Sequence, residues 1–339
     1  MRKDKAKTSL PPLEGRKGTA LALGGGLARG FTHIGVLKTL NKNGIYPGIV
    51  AGTSMGALVG GSYLCGKLDD LEEWALSLNR FKVFSLMDLK VRSPGLIGGD
   101  KLTKIMESHF DGLGIEDLPH PFISIAADLV TGHEVWLREG NLIDAIKASY
   151  ALPGVFPPVM RNHRYLVDGA LVNPVPVSVC QAFGARLTIA CDLHADLIGK
   201  SVKPGEKYQT IAGFDVFDEK EVPKEDQKIF KSSGFAKRLF RRGKGEPSLF
   251  GVMVSSLGII QDRLTRSRLA GDPPDVHIKP SIGHIGMLEF ERAEELIALG
   301  EEAAERALPE IKTAMHVLLP PKPSDEALAD IPIQDNIDK

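Results

Sequence analysis

Residues Gly52-Thr53-Ser54-Met55-Gly56 spell a G-x-S-x-G motif between the apolar stretch IVA, ending at Ala51, and the small-residue run Ala57-Leu58-Val59-Gly60-Gly61. A serine at such a strand-to-helix turn is held in a strained backbone conformation with its hydroxyl projecting from the sheet edge. The helix behind it favours developing negative charge. Upstream, Gly24-Gly25-Gly26-Leu27-Ala28-Arg29-Gly30 follows another short apolar stretch. Consecutive glycines leave backbone N–H groups unobstructed, able to converge on an oxyanion, and losing one such donor costs about 3 kcal/mol of transition-state stabilisation. A third element, Leu166-Val167-Asp168-Gly169-Ala170, places Asp168 where a strand meets a glycine turn. Read as the end of a parallel strand, it can accept the serine proton directly. Taken alone, Asp-Gly is read more readily as an Asx-turn cap.

The glycine loop also admits a dinucleotide reading, because Gly24, Gly26 and Gly30 approach the Rossmann fingerprint. Two features oppose it. The spacing is G-x-G-x-x-x-G, and the next strand ends in Ala51-Gly52 where a ribose-binding carboxylate is expected. A Ser-Asp-His triad would need a histidine downstream, for which His194, His277, His284 and His316 are available without a recognisable loop motif. His33, on the helix after the glycine loop, reads as a structural hydrogen-bonding residue. None of the nine histidines has metal-site spacing, so no metal and no cofactor are expected.

The elements that must position these residues follow from the apolar pattern. Strand-loop-helix units, one running from the TALAL strand at Thr19 into a helix with Ile34, Val36, Leu37 and Leu40 and the other around Ser54, predict a parallel sheet with crossover helices. Further strands are expected at Phe122–Ala127, Glu134–Arg138, Arg164–Asp168, Arg186–Asp192 and Asp275–Pro280, and helices at Lys101–Phe110, Leu142–Ser149, Val254–Leu269 and Phe290–Leu308. The fold class is α/β: a three-layer α/β/α arrangement, mostly parallel, with a nucleophile elbow. One domain is expected over residues 18–318, interrupted by a charged insertion at about 196–248, with a flexible leader at 1–17 and a Pro-rich, acidic tail at 319–339.

Apolar residues at 43% and charged residues at 25% match a soluble globular body, and a net charge of −1 argues against a general nucleic-acid binder. The basic start is followed by no apolar stretch of signal-peptide length, and no run is long enough to cross a bilayer. Cys65, Cys180 and Cys191 are widely spaced in apolar stretches, which fits a reducing compartment and a cytoplasmic location. Between Lys228 and Lys244, seven basic residues interleave with Ile229, Phe230, Phe235, Leu239 and Phe240. This segment reads as a peripheral contact with the anionic inner membrane face, or as a solvated loop.

Together the three motifs resemble the patatin-like phospholipase family: GGGxARG for the oxyanion loop, GTSMG for the nucleophile and DGA for the base. Ala148-Ser149-Tyr150-Ala151-Leu152-Pro153-Gly154-Val155-Phe156-Pro157-Pro158 looks like the family's segment before the catalytic aspartate. The region from Asp275 through the C-terminal helix looks like bacterial members related to neuropathy target esterase. The resemblance implies a serine esterase with a Ser54–Asp168 dyad, backbone amides of Gly25, Gly26 and Leu27 as the oxyanion hole, and Arg29 bracing that loop. Phospholipids or lysophospholipids are the implied substrates. The alternatives are a triad esterase of α/β-hydrolase type and a non-catalytic lipid-binding module.

Overall fold

The computed structural model describes residues 18–79, 112–196 and 249–319, together with 82, 103, 104, 106, 107 and 110. The leader, most of the 196–248 insertion including Lys228–Lys244, and nearly all of the tail lie outside the described residues. Of the expected helix Lys101–Phe110, residues 103, 104, 106, 107 and 110 are helical.

In chain order the described elements are β1 (Thr19–Leu23), α1 (Thr32–Lys42), β2 (Ile49–Thr53), α2 (Met55–Leu64), α3 (Leu68–Leu76), β3 (Phe122–Asp128) and β4 (Glu134–Leu137). There follow α4 (Leu142–Tyr150), β5 (Val159–Arg161), β6 (Arg164–Asp168), α5 (Val177–Ala182), β7 (Leu187–Cys191), α6 (Leu249–Gly271), β8 (Val276–Ile278) and α7 (Ala293–Leu318). The strands form one mixed sheet in the order β5-β6-β3-β2-β1-β7-β8, with β4 also on β3. Strands β3, β2, β1, β7 and β8 are parallel. The three-layer, mostly parallel α/β fold expected from the motifs is the one observed.

The registers on β3 decide where the chemistry sits. Ser124 faces Gly52 of β2 and Leu137 of β4, whereas Ala126 faces Asp168 of β6 and Val135 of β4. Strands β2 and β6 therefore lie on the same side of β3, end to end. Thr53 stands opposite Ile125 and Asp168 opposite Ala126, so the carboxyl ends of β2 and β6 meet one residue apart. This corrects the sequence expectation that Asp168 ends a parallel strand. β6 runs antiparallel to β3, with Ala126 opposite Asp168 and Asp128 opposite Leu166, and its other edge forms a hairpin with β5 through Asn162 and His163, both at positive φ.

Alternation along each strand divides the core between two faces. Leu21, Leu23 and Val50 point to the side covered by α1, α2, α4 and α7, while Ala20, Ala22, Ile49, Ala51, Ile123 and Ile125 meet Val177, Val179 and Cys180 of α5 and its approach. The closest helix contact is between α1 and α7. A Cβ on Gly35 would lie 2.0 Å from Ile297 O, and one on Gly300 would lie 2.1 Å from Thr32 O, so the two backbones touch. Helix α7 runs through Pro309, where the sequence reading stopped it. An internal proline costs about 3 kcal/mol, and the burial of Leu296, Ala304 and Ile311 along one face offsets it.

Candidate active site

Ser54 sits between β2 and α2 at φ 57°, ψ −122°, a left-handed conformation that an L residue adopts only when its surroundings impose it. Gly56 is needed for the turn to close against β1, since a Cβ there would lie 2.2 Å from Leu23 O. The Ser54 amide donates to Ser149 Oγ at 2.8 Å, and the Ser149 hydroxyl donates onward to Ile125 O at 2.5 Å. A side chain on α4 thus ties the Ser54 backbone to β3. The sequence reading quoted Ser149 only within a longer segment. Its signal was available: with Leu142, Ala145 and Ile146 it occupies an i, i+3, i+4, i+7 stripe, so a hydroxyl lies on the buried face of the helix.

The Ser54 hydroxyl donates to Asp168 Oδ2 at 2.8 Å, and both residues are almost fully buried. Asp168 Oδ1 accepts from the Ala170 amide at 2.8 Å, so the carboxylate serves both as the Asx-type cap and as the partner of the serine. Burial lifts its pKa from 3.8 to about 7, opposed by the hydrogen bonds from Ala170 and Ser54. A carboxyl poised there is tuned for proton transfer at neutral pH.

The glycine loop packs directly on the dyad, for a Cβ on Gly25 would lie 3.2 Å from both Ser54 Cβ and Ala170 Cβ. The three expected oxyanion donors divide here. The Gly25 amide donates to Pro174 O at 3.0 Å and is not free to bind an oxyanion, a correction imposed by the turn that anchors the loop to the segment after Asp168. Gly26 and Leu27 stand at the start of a 3-10 turn, where amides have no partner within the turn, and Leu27 is held at φ 52°. Arg29 is buried, and its Nε donates to Ile285 O at 2.7 Å while the Ala28 amide donates to Met287 O at 2.9 Å. Burial lowers its pKa, against the attraction of Asp196 and Glu289. Arg29 therefore contacts the 283–289 segment as a brace of the loop.

The histidines are placed elsewhere. His33 Nε2 donates to Gly24 O at 2.7 Å, and burial lowers its pKa to about 4, so it is a neutral strut beneath the glycine loop. His277 Nε2 lies 3.3 Å from Asp192 Oδ2, with His194 Nδ1 3.8 Å from the same carboxylate, and His284 bonds Glu295. His316 lies near the end of α7. Among the described residues no cluster of His, Cys, Asp and Glu could hold a metal ion, and no helix is long and apolar enough to cross a membrane.

Residues 21–180 match the family model described as patatin-like phospholipase. An uncharacterized NTE family protein of Mycobacterium tuberculosis is 33% identical over 326 residues, spanning 85% of this chain and 91% of the relative. Mouse patatin-like phospholipase domain-containing protein 6 is 31% identical over 181 residues, covering 51% of this chain and 13% of that much longer protein. Among solved structures, VipD of Legionella pneumophila aligns with a TM-score of 0.43 at 13% identity, over 87% of this chain and 67% of that one. The match over nearly the whole length of the mycobacterial relative, together with the family model that spans both Ser54 and Asp168, shows that the chain belongs to the NTE family of patatin-like phospholipase proteins.

Proposed function

We propose that the chain is a serine esterase that hydrolyses fatty-acyl esters of phospholipids or lysophospholipids through Ser54 and Asp168. Family membership supports lipid hydrolysis in general. The observation that carries the finer reading is the buried 2.8 Å hydrogen bond from the Ser54 hydroxyl to Asp168 Oδ2, with Ser54 at positive φ on a strand-to-helix turn.

In the first half-reaction the Ser54 proton passes to Asp168 as Oγ bonds the ester carbonyl carbon. Negative charge gathers on the carbonyl oxygen, facing the amides of Gly26 and Leu27 and the amino end of α2. The carbon–oxygen bond to the leaving alcohol then breaks, and Asp168 returns its proton to that oxygen. In the second half-reaction a water gives its proton to Asp168 and attacks the acyl-enzyme. Ser54 leaves as the fatty acid is released, and recovers its proton from Asp168. One carboxyl serves both steps because its raised pKa lets it hold and release a proton near neutrality.

Labelling with a fluorophosphonate probe and mapping the adduct by mass spectrometry tests this reading. The expected adduct is on Ser54, absent in Ser54→Ala, alongside hydrolysis of p-nitrophenyl butyrate. Absence of labelling in folded protein would favour a non-catalytic lipid-binding module. Loss of turnover in a His277→Ala or His194→Ala variant as complete as in Ser54→Ala would favour a triad.

A further inference from the structure

Helix α6 carries large apolar side chains on its outward side. Its inward positions include Gln261 at 6% exposure and Thr265 at 1%, while Val252, Ile259 and Ile260 are 44%, 64% and 54% exposed. Positions 252, 259 and 260 are spaced i, i+7, i+8, so they share one side of the helix and form an outward apolar stripe. Scattered apolar residues on a surface are ordinary. Here three of them share one side of a single helix with exposed Ser256 and Arg263, while Gln261 and Thr265 are buried on the other.

The place of α6 gives the stripe its meaning. Met253 packs on Gly154, in the segment leading to Asp168, and Gly258 packs on Met287, whose carbonyl holds the oxyanion loop through Ala28. At the far end, Arg268 donates to Val172 O, just beyond Asp168, and pairs with Glu134. Helix α6 therefore lies beside the segments that precede and follow Asp168 and against Met287, which holds the glycine loop. From that edge the β3–β4 turn also projects, with Leu129 50% and Val130 83% exposed. Arg263 continues the outward side of α6, as does Arg266, which is paired with Asp262.

We propose that the outer face of α6, with the β3–β4 turn, is the surface by which this protein docks on an anionic phospholipid bilayer, setting the Ser54 edge against the membrane. An apolar stripe bordered by arginines matches the interface of such a bilayer, where acyl chains lie beneath negative headgroups. That the docked edge is also the working edge rests on the esterase reading above. The docking itself does not.

Binding is measured in the Ser54→Ala background, so that the vesicles stay intact, by co-sedimentation with phosphatidylglycerol and phosphatidylcholine in equal parts. Parent protein is expected to partition onto these vesicles. The combined change Val252→Ser, Ile259→Ser and Ile260→Ser should weaken partition about tenfold or more, as expected when buried apolar area is removed. Arg263→Gln should weaken it about fivefold at low salt only. Leu129→Ser with Val130→Ser lies off the helix and should also weaken binding, which keeps the test open if the triple variant fails to fold. With Ser54 present, these variants should retain parental kcat/KM on p-nitrophenyl butyrate. Equal co-sedimentation of parent and folded variants overturns the docking surface, as does a parental dimer that the triple variant turns into monomers, for the stripe then covers a second copy of the chain. Vesicle binding that depends on α6 in a protein inert to fluorophosphonate and ester would sustain the docking and refute the esterase.

Discussion

The two strands that bring Ser54 and Asp168 together differ in how they hold their residue. On the β2 side the constraint lies in the backbone: Ser54 is kept at φ 57° by Gly56 closing on Leu23 and by the Ser149 hydroxyl on its amide. On the β6 side the backbone is relaxed, and Asp168 is fixed by its carboxylate, which receives one hydrogen bond from Ala170 and one from Ser54. A nucleophile must be aimed, which is a matter of geometry. A base must be set at the right proton affinity, which is a matter of burial and hydrogen bonding. Each strand supplies the kind of restraint that the proposed role of its residue needs.

The largest effects should come from removing either partner outright. Ser54→Ala and Asp168→Asn are each expected to lower kcat on a fatty-acyl ester about ten-thousandfold, and the double variant should be no worse, because the pair acts as a unit. A folded Ser54→Ala retaining parental turnover would dissolve the comparison. Next comes the aim of the nucleophile. In Gly56→Ala the added Cβ meets the Leu23 carbonyl, with an expected destabilisation of about 3 kcal/mol that denaturant titration would read. Asp168→Asn, by contrast, should fold at least as well as parent. If both changes destabilise equally, the contrast between a strained side and a relaxed side fails.

Ser149→Ala sharpens the same contrast. It leaves a buried amide without its acceptor, a cost of about 1–3 kcal/mol. Spent on the orientation of Ser54, that cost should appear as a ten- to hundredfold fall in kcat with KM near parent, partly restored in Ser149→Thr. An unchanged kcat would show that strain at Ser54 needs no support from α4. The smallest effects are those of pH. With Asp168 at about 7, kcat/KM should rise about tenfold between pH 6 and the alkaline plateau. Because the folded pKa stands above 3.8, protonated Asp168 stabilises the fold below that value, and the contribution fades as pH rises through about 7. Asp168→Asn should therefore melt above parent at pH 8, with the gap closing towards pH 4. A gap independent of pH would place the titration on another group.

Much of the β2 side was legible in the residues, because its determinants are local. TALAL is β1 to the residue, and G-x-S-x-G names both the strained serine and the glycine that closes the turn. The β6 side was legible in identity but not in direction. Asp168 was found at the end of its strand, yet nothing in RYLVD tells whether that strand runs with β3 or against it, since the pairing that shows it joins Asp168 to Ala126, about 40 residues away in sequence. The fate of the Gly25 amide was hidden for the same reason, since its acceptor, Pro174, is about 150 residues away in sequence. Helices α3 and α5 were not singled out, being short and set beside Gly and Pro-rich turns.

The contact of Gly35 with Ile297 and of Gly300 with Thr32 has a consequence in time. Helix α1 carries the glycine loop at its amino end and is translated well before the helix that clamps it, which lies about 260 residues further along the chain. Until α7 emerges, the Gly35 face of α1 has no cover and the loop has neither Ile285 nor Met287 to hold it. A nascent chain bearing a finished Ser54 turn would thus still lack a firm oxyanion loop. The firmness of the glycine loop waits on contacts that lie more than 250 residues further along the chain.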